Sequence, residues 1–333
     1  MRLVALVVMA VGVAACDHTE PFAYTPPTAA GPFSLAIPRR LTFNPGDDRF
    51  PSVQGGLVAY SLRLPERADG DWCVAVLPDT GGQIIHELCP PGPADTLVDA
   101  WRYPALSPDT LSLIFWREQG LRSNSVPAVR EFVRATWSVP DSVTPVLSAP
   151  YLLPDGSRGN SVRNVTWPAP NTLRFVAGDE IVVFDRDTTF SSAGVAELDL
   201  TTGVLSVFPG SAGVTSYGNA PDGGVWLSPP GTSVVEHRTA GQLAVDTVAT
   251  FPYPVQDVTN AGGVPVAIAL FAPPGGAVVP VMGFMMNGTV FNQIWNGPVP
   301  LAVAADPSSP VVVASITRAA SGGLGNLWMF RVP

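Results

Sequence analysis

The stretch that decides the fold is residues 102–115, RYPALSPDTLSLIF. A short segment leads into Ser107-Pro108-Asp109, and a strongly apolar segment rich in Leu, Ile and Phe follows it. Pro and Asp are typical of tight turns, whereas short runs of bulky apolar residues are typical of buried strands. The stretch therefore predicts two antiparallel strands that are joined by a turn.

Five further segments repeat this strand–turn–strand pattern. They are residues 49–60, 163–175, 215–227, 255–268 and 301–314. The six turns fall near Gly55, Asp109, Pro170, Asp222, Gly262 and Ser308. Their spacing is roughly 40 to 60 residues, and one four-stranded propeller blade takes about 40–50. The repeat predicts an all-β fold over residues 33–333, a six-bladed β-propeller of four-stranded antiparallel blades.

A second hairpin is expected between the third and fourth strands of most units. Its loops lie at residues 80–82, 201–203, 239–241 and 287–288, and each contains a glycine suited to a left-handed backbone. The turns at 107–109 and 220–223, together with the loop at 201–203, resemble the repeats of TolB-like, WD-repeat-like propellers. That resemblance implies a binding platform and carries no catalytic residues.

The sixth unit supplies only three strands, of which the last is expected over residues 326–331. Residues 35–43 are an unassigned apolar segment whose apolar residues are Leu35, Ile37, Leu41 and Phe43. Its Pro38 fits an outermost strand, because proline cannot donate a hydrogen bond to a ladder. We expect this segment to complete the last blade and to cover its open edge. Two consecutive β-sandwich domains are the competing interpretation, which would leave the two ends far apart.

The N-terminus predicts an export signal. Arg2 is followed by apolar residues up to Ala15, a run too short to cross a bilayer, which takes about 20 residues. Val13-Ala14-Ala15-Cys16 resembles the lipobox of bacterial lipoproteins, and this resemblance implies removal of residues 1–15 and fatty acylation (palmitate) of Cys16. An ordinary secretory signal with an Ala-x-Ala cleavage site is the alternative.

Residues 16–32 are rich in Pro, Thr and Ala and are predicted to form a tether behind the lipid anchor. We therefore expect a protein anchored by lipid to a membrane of the bacterial cell envelope, facing the periplasm or the exterior. The membrane is the first expected partner.

Composition excludes several classes of protein. The 333 residues include 18 basic and 27 acidic residues, giving a formal net charge of −9, so a nucleic-acid partner held by phosphate neutralisation is not expected. Hydrophobic residues make up 46% of the chain, enough for a core, which argues against intrinsic disorder. The 32 Gly and 36 Pro argue against a helical bundle, since both residues destabilise helix interiors.

Cys73 and Cys89 flank the predicted loop at residues 80–82. If this loop closes a hairpin, the two cysteines face each other across it, with Cα atoms about 4.5 Å apart, a distance compatible with a disulfide. The export signal supplies an oxidising compartment. The alternative is a pair of free cysteines in the core.

The repeat indicates one candidate ligand-binding group, which consists of Arg49, Arg102 and Arg163. Each stands two residues before Pro51, Pro104 or Val165, at the start of an innermost strand. These starts ring a mouth of the central channel, where three guanidinium groups can hold a carboxylate or a phosphate. The alternative is that each arginine pairs with a nearby acid such as Asp47, Asp48 or Asp99.

Catalytic and metal motifs are weak in this sequence. His86 and His237 are expected to pack in hairpins, and there is neither a Gly-x-Ser-x-Gly elbow nor a Cys-x-x-Cys pair. Asp179-Glu180 and Asp185-Arg186-Asp187 cluster carboxylates that can serve an acid/base pair or lie in a solvated loop. We expect no metal and no cofactor.

The sequence thus predicts a non-catalytic binding or scaffolding propeller whose partner is an unidentified protein or a small anionic ligand. An envelope hydrolase that uses carboxylates at the channel mouth is the alternative. A purely structural envelope protein is a third interpretation.

Overall fold

Each strand–turn–strand unit is the inner half of a four-stranded antiparallel sheet. The computed structural model describes residues 38–333 except 66–69, 92–96, 122, 124–126, 138, 185–186, 296 and 319–322. The predicted signal peptide, Cys16 and the tether lie outside the described residues. The described residues contain no helix of the length and apolar character that crossing a membrane requires.

The strands follow the predicted repeat. The closing strand is β1 (Arg39–Arg40). Blade 1 contains β2 (Asp47–Gln54), β3 (Leu57–Arg63), β4 (Cys73–Pro78) and β5 (His86–Leu88). Blade 2 contains β6 (Leu97–Leu106), β7 (Ser112–Leu121), β8 (Val129–Thr136) and β9 (Val139–Ser148). A small hairpin, β10 (Tyr151–Leu152) and β11 (Arg158–Gly159), leads to blade 3, which contains β12 (Ser161–Ala169), β13 (Thr172–Phe184), β14 (Asp187–Asp199) and β15 (Leu205–Val207).

The remaining blades have the same order. Blade 4 contains β16 (Tyr217–Asn219), β17 (Val225–Leu227), β18 (Val234–Arg238) and β19 (Val245–Thr250). Blade 5 contains β20 (Val255–Ala261), β21 (Val264–Phe271), β22 (Val279–Met286) and β23 (Val290–Trp295). Blade 6 contains β24 (Pro300–Ala305), β25 (Val311–Thr317) and β26 (Gly325–Arg331), and β1 is its fourth strand. The all-β, six-bladed prediction is confirmed.

The core lies between neighbouring blades, because each sheet has apolar residues on both faces. The second strands are almost entirely buried; every residue of β25 is buried. Between blades 6 and 1, Val313 and Leu327 pack in one cluster with Val58, Tyr60 and Leu77. The first strands of the blades lie innermost, where neighbouring first strands contact each other, and they line the central channel.

The N-terminal strand closes the ring, as predicted. Arg39 pairs with Met329 and Arg40 with Trp328 on β26, and the Leu41 N–H donates to the Leu327 carbonyl at 2.8 Å. Leu41 is 3% exposed, whereas Phe43 is 70% exposed beneath the Arg40 guanidinium. The pairing covers only part of the predicted segment 35–43, since it ends at Leu41. Leu35 and Ile37 lie outside the described residues.

Polar contacts reinforce the junction between blades 6 and 1. The Ser315 hydroxyl donates to the Asp48 carbonyl at 2.8 Å, and the Gly325 N–H donates to the Asp47 carboxylate at 2.6 Å. The Gly55 N–H donates to the Asp306 carboxylate at 3.0 Å. The junction is thus held by backbone pairing, by buried apolar contacts and by hydrogen bonds from both ends of the inner strands.

Candidate functional site

The central channel opens into a cavity at the end where the six inner strands begin. We call this end the arginine mouth. The cavity has a volume of about 480 Å³, which falls in the range of small-molecule sites. All six blades contribute to its wall. The lining includes Phe50, Pro51, Arg102, Tyr103, Pro104, Arg163, Asn164, Glu180, Thr215, Ser216, Gln256, Asp257 and Leu301.

A backbone irregularity recurs at this mouth in three consecutive blades. The pairing register shifts after Arg49, Arg102 and Arg163, the three arginines singled out by the sequence. The next residues, Phe50, Tyr103 and Asn164, have φ angles of 54°, 52° and 49°. A left-handed backbone disfavours an L residue by roughly 1–2 kcal/mol, and bulky residues rarely adopt it. Strain of this kind is common at functional sites, so this mouth is taken as the candidate site.

The three arginines have different surroundings in the structure. Arg102 and Arg163 line the cavity, whereas Arg49 is not among its lining residues. Arg49 pairs with Asp47 at 3.0 Å and donates to the Gly323 carbonyl at 3.1 Å, one of the structural pairings considered from the sequence. Arg49 therefore helps to join blade 1 to blade 6.

Arg102 belongs to a charged network behind the cavity wall. Its guanidinium lies 3.1 Å from Glu118, and Glu118 lies 3.4 Å from Arg130. Arg130 also pairs with Glu180 at 3.1 Å. The expected partner Asp99 instead accepts hydrogen bonds from the side chains of Trp101 and Gln119. Arg102 is thus held in place at the cavity wall by an acid on its own blade.

Arg163 differs from the other two arginines in its partner. Its guanidinium carbon lies 4.3 Å from the centre of the Phe190 ring, a cation–π contact with β14. Among the residues that the structure describes, no carboxylate lies within ion-pair distance of Arg163. An aromatic ring orients the guanidinium without neutralising its charge, so Arg163 remains available to an anion in the cavity.

Two aromatic rings form the wall contributed by blades 1 and 2. The ring centres of Phe50 and Tyr103 are 4.3 Å apart, and both residues are half-buried. Burial raises the pKa of the Tyr103 hydroxyl, while the charges of Arg163 and Arg102 act in the opposite direction. Pro51 and Pro104 follow the two rings along the cavity wall. This side of the cavity is consequently apolar.

The wall contributed by blades 4 and 5 is polar. Asp257 accepts hydrogen bonds from the Ser216 hydroxyl and, at 2.9 Å, from the Val303 N–H. Its carboxylate therefore links blade 5 to blades 4 and 6. Removal from water raises the pKa of Asp257 to about 6, although these hydrogen bonds lower it. A six-bladed ring places Asp257 across the channel from Arg102.

The channel narrows in its middle and opens again at the far end, which we call the opposite mouth. The middle section, lined by residues such as Tyr217 and Thr259, has a volume of only about 20 Å³. The opposite mouth holds about 430 Å³ and is lined by Arg174, Glu197 and Asn219 among others.

Arg174 at the opposite mouth has a full set of partners. It lies 2.8 Å from Glu197, and it donates to Asn219 at 3.1 Å and to the carbonyls of Gly223 and Gly224. These contacts join blade 3 to the first turn of blade 4. The guanidinium is engaged throughout, so its role is structural.

Cys73 and Cys89 occupy the predicted hairpin. Their Cα atoms are 4.4 Å apart and their sulfur atoms 2.05 Å apart. Glu87 completes a group of three possible metal ligands with them, but each sulfur is already bonded to the other. The disulfide stays a prediction for the mature protein, and its test is given in the Discussion.

The remaining residues that the sequence analysis considered for catalysis or metal binding lie apart from one another. His86 stacks on the Trp137 ring with a centroid distance of 4.2 Å, and His237 lies 3.1 Å from Asp222. Asp185 and Arg186 lie outside the described residues. Of the acids considered around blade 3, Glu180 reaches the cavity wall.

Sequence reasoning missed Phe50, Tyr103 and Asp257. The first two directly follow arginines that the repeat singled out, so the recurring Arg-aromatic-Pro of blades 1 and 2 was a usable signal. Nothing local marks Asp257, because its role depends on Ser216 and Val303, which lie more than forty residues away on either side.

Comparisons with known proteins identify the architecture alone. No protein-family model matches the chain, and no curated protein matches it. It is similar to the structure of a protein thought to be a gluconolactonase, with a TM-score of 0.54, 13% identity, and coverage of 90% of this chain and 93% of the other. It is also similar to the PQQ-bound aldose sugar dehydrogenase of Streptomyces coelicolor, with a TM-score of 0.53, 13% identity, and coverage of 90% and 98%.

TolB from Acinetobacter baumannii aligns with a TM-score of 0.47 and 15% identity, over 83% of this chain and 64% of that one. Identities this low describe a shared fold alone. The fold and the cavity together define the chain as a six-bladed β-propeller with a small-molecule-sized cavity at one mouth.

Proposed function

We propose that this propeller is a non-catalytic binding module that holds a small anionic ligand in the cavity of the arginine mouth. The observation that carries the proposal is Arg163, whose guanidinium lines the cavity, rests on Phe190 and has no described carboxylate partner. Arg102 stands on the neighbouring blade. Two guanidinium groups on one cavity wall suit a carboxylate or a phosphate, which they can bind through paired hydrogen bonds.

The proposal includes a lipid anchor at Cys16 and a place in the bacterial cell envelope. It is supported by the apolar run up to Ala15 and by the lipobox-like Val13-Ala14-Ala15-Cys16. The propeller then presents the cavity to the periplasm or the exterior. Replacing Cys16→Ser tests this part: we expect the variant to leave the detergent phase or to accumulate as precursor, whereas unchanged partitioning would refute lipidation.

Binding is tested with the full-length chain in detergent, by titration calorimetry with acetate, citrate and inorganic phosphate. We expect at least one of these anions to bind, and Arg163→Gln to weaken it about 10-fold or more. Arg158→Gln is the matched control, because Arg158 is exposed on β11 and does not line the cavity. Equal losses in both variants would indicate a general charge effect and would contradict the proposal.

A hydrolase is the second candidate, favoured by one observation. Glu180 and Asp257 both line the cavity, and the raised pKa of Asp257 suits a general acid or base. Against this, Glu180 is paired with Arg130 and Asp257 links neighbouring blades. Turnover of a bound anion that is abolished in Asp257→Asn and retained in Arg158→Gln would establish the hydrolase instead.

A further inference from the structure

The walls of the arginine mouth differ in chemistry, and this difference restricts the ligand. Blades 1 and 2 present the rings of Phe50 and Tyr103 together with Pro51 and Pro104. Blades 4 and 5 present Thr215, Ser216, Gln256 and Asp257. The arginines stand on blades 2 and 3, at the edge of the apolar wall.

The aromatic wall is built at the expense of backbone strain. Phe50 and Tyr103 both adopt left-handed φ angles, a conformation that glycine would adopt freely. Two bulky rings are therefore placed, side by side, where the backbone alone favours the smallest residue. Such a wall accepts the flat face of a ring and gains from its size and rigidity.

The polar wall still offers hydrogen-bonding capacity. The Asp257 carboxylate receives one described hydrogen bond at each oxygen, and each oxygen has a further lone pair. Gln256 is exposed, and its side-chain amide carries both donors and an acceptor. A ligand that meets this wall benefits from several hydroxyl groups along one edge.

We infer that the cavity binds an acidic sugar, meaning a hydroxylated ring that carries one carboxylate or phosphate. The anionic group lies against Arg163 and Arg102, the C–H face of the ring rests on Phe50 and Tyr103, and hydroxyl groups donate to Asp257. This inference rests on the proposed function, because it specifies the class of anion that the same cavity binds.

The test uses the full-length chain in detergent and titration calorimetry with glucuronate, glucose 6-phosphate, glucose, benzoate, acetate and inorganic phosphate. We expect one or both acidic sugars to bind at least 10-fold more tightly than each of the other four. The carboxylated and phosphorylated sugars distinguish the two possible anionic groups.

A variant of the aromatic wall tests whether that wall contributes to binding. Tyr103→Gly removes a ring that also packs against the core but suits the left-handed backbone, so we expect a folded protein, checked by circular dichroism, whose affinity for the acidic sugar falls about 10-fold. Thr110→Gly is the matched control, since Thr110 is also left-handed, with a φ of 59°, but lies in the turn of blade 2 away from this cavity. It should leave binding unchanged, and an equal loss in both variants would overturn the inference.

The outcomes separate the inference from the proposed function. If acetate, benzoate or phosphate binds as tightly as the acidic sugars and depends on Arg163, the anion site stands and the sugar class is wrong. If glucose binds as tightly as both acidic sugars, recognition of the anion is wrong and both statements fail. If none of the six compounds binds, the sugar class is wrong, and the proposed function fails as well when citrate does not bind either.

Discussion

The two mouths of the channel use the same residue type for different purposes. Arg163 and Arg174 lie in blade 3, eleven positions apart, on the first two strands of one sheet. Both guanidinium groups lie over an aromatic ring, Phe208 for Arg174 and Phe190 for Arg163. Arg174 is 5% exposed and also binds Glu197, Asn219 and two backbone carbonyls, whereas half-buried Arg163 lies beside a cavity.

This difference teaches how a propeller can separate stability from binding. A guanidinium whose donors are all engaged by the protein holds blades together and has nothing left for a ligand. A cation–π contact uses the face of the guanidinium and leaves its N–H bonds to other partners, which are protein groups for Arg174 and, in the proposed function, a ligand for Arg163. The partners of an arginine, more than its position in the repeat, indicate its role.

The largest expected effect concerns the junction that both mouths share. Deleting residues 33–43 removes β1 and buried Leu41, so blade 6 loses its fourth strand and the cluster between blades 6 and 1 loses one of its buried side chains. We expect loss of the cooperative unfolding transition in urea, followed by circular dichroism. Deleting residues 17–32 is the control and should leave the midpoint unchanged. Similar midpoints for the two deletions would show that closure contributes little.

The comparison of the two arginines is tested directly by substitution. Arg174→Ala should lower the free energy of unfolding by about 3–5 kcal/mol, because it leaves buried partners unsatisfied. Arg163→Ala should lower it by about 1 kcal/mol or less, the size of a partly exposed cation–π contact. Urea denaturation of both variants measures the difference. Equal losses would mean that Arg163 is structural, and the proposed binding role would lose its basis.

The predicted disulfide in blade 1 is expected to have an effect of intermediate size on the free energy of unfolding. Closing the loop between Cys73 and Cys89, which are 16 positions apart, contributes about 3 kcal/mol in the chain-entropy view. Peptide mapping without reductant should find the two cysteines joined. Cys89→Ser should lower the unfolding free energy by this amount under oxidising conditions and should match reduced wild type. Full alkylation of both thiols without reductant would exclude the disulfide.

An effect on stability no larger than that of the disulfide concerns Asp257 and pH. Because burial raises its pKa from 3.8 to about 6, the folded protein holds a proton that the unfolded chain releases. The stabilisation is complete below about pH 4 and is lost as the pH rises through 6, amounting to roughly 3 kcal/mol. Asp257→Asn should remove this part of the pH dependence, measured by urea denaturation between pH 4 and 7.

Asp48 supplies an internal control for that measurement. Its pKa is also raised to about 6 by burial, in blade 1, and Asn44 donates hydrogen bonds to its carboxylate. In Asp257→Asn, stability should therefore still decrease with rising pH, because Asp48 remains. In Asp48→Asn, the decrease due to Asp257 should remain. A variant Asp257→Asn whose pH profile equals that of the wild type would contradict the assignment.

The sequence determined the features that depend on neighbours along the chain. The turns near Gly55, Asp109 and Asp222 required residues with special backbone preferences, and the apolar runs that follow them required burial, so six blades could be counted. The missing fourth strand of blade 6 could be predicted too, since an open sheet edge must be covered.

Only the tertiary structure decided which charges meet. Arg49, Arg102 and Arg163 look equivalent in the repeat, yet Asp47 engages the first, Glu118 the second and Phe190 the third. The cavity at the arginine mouth likewise combines Tyr103 with Asp257, which lie 154 positions apart in the sequence. Local preference sets turns and strands, but closure of the ring sets these distances, and no pattern within one blade encodes them.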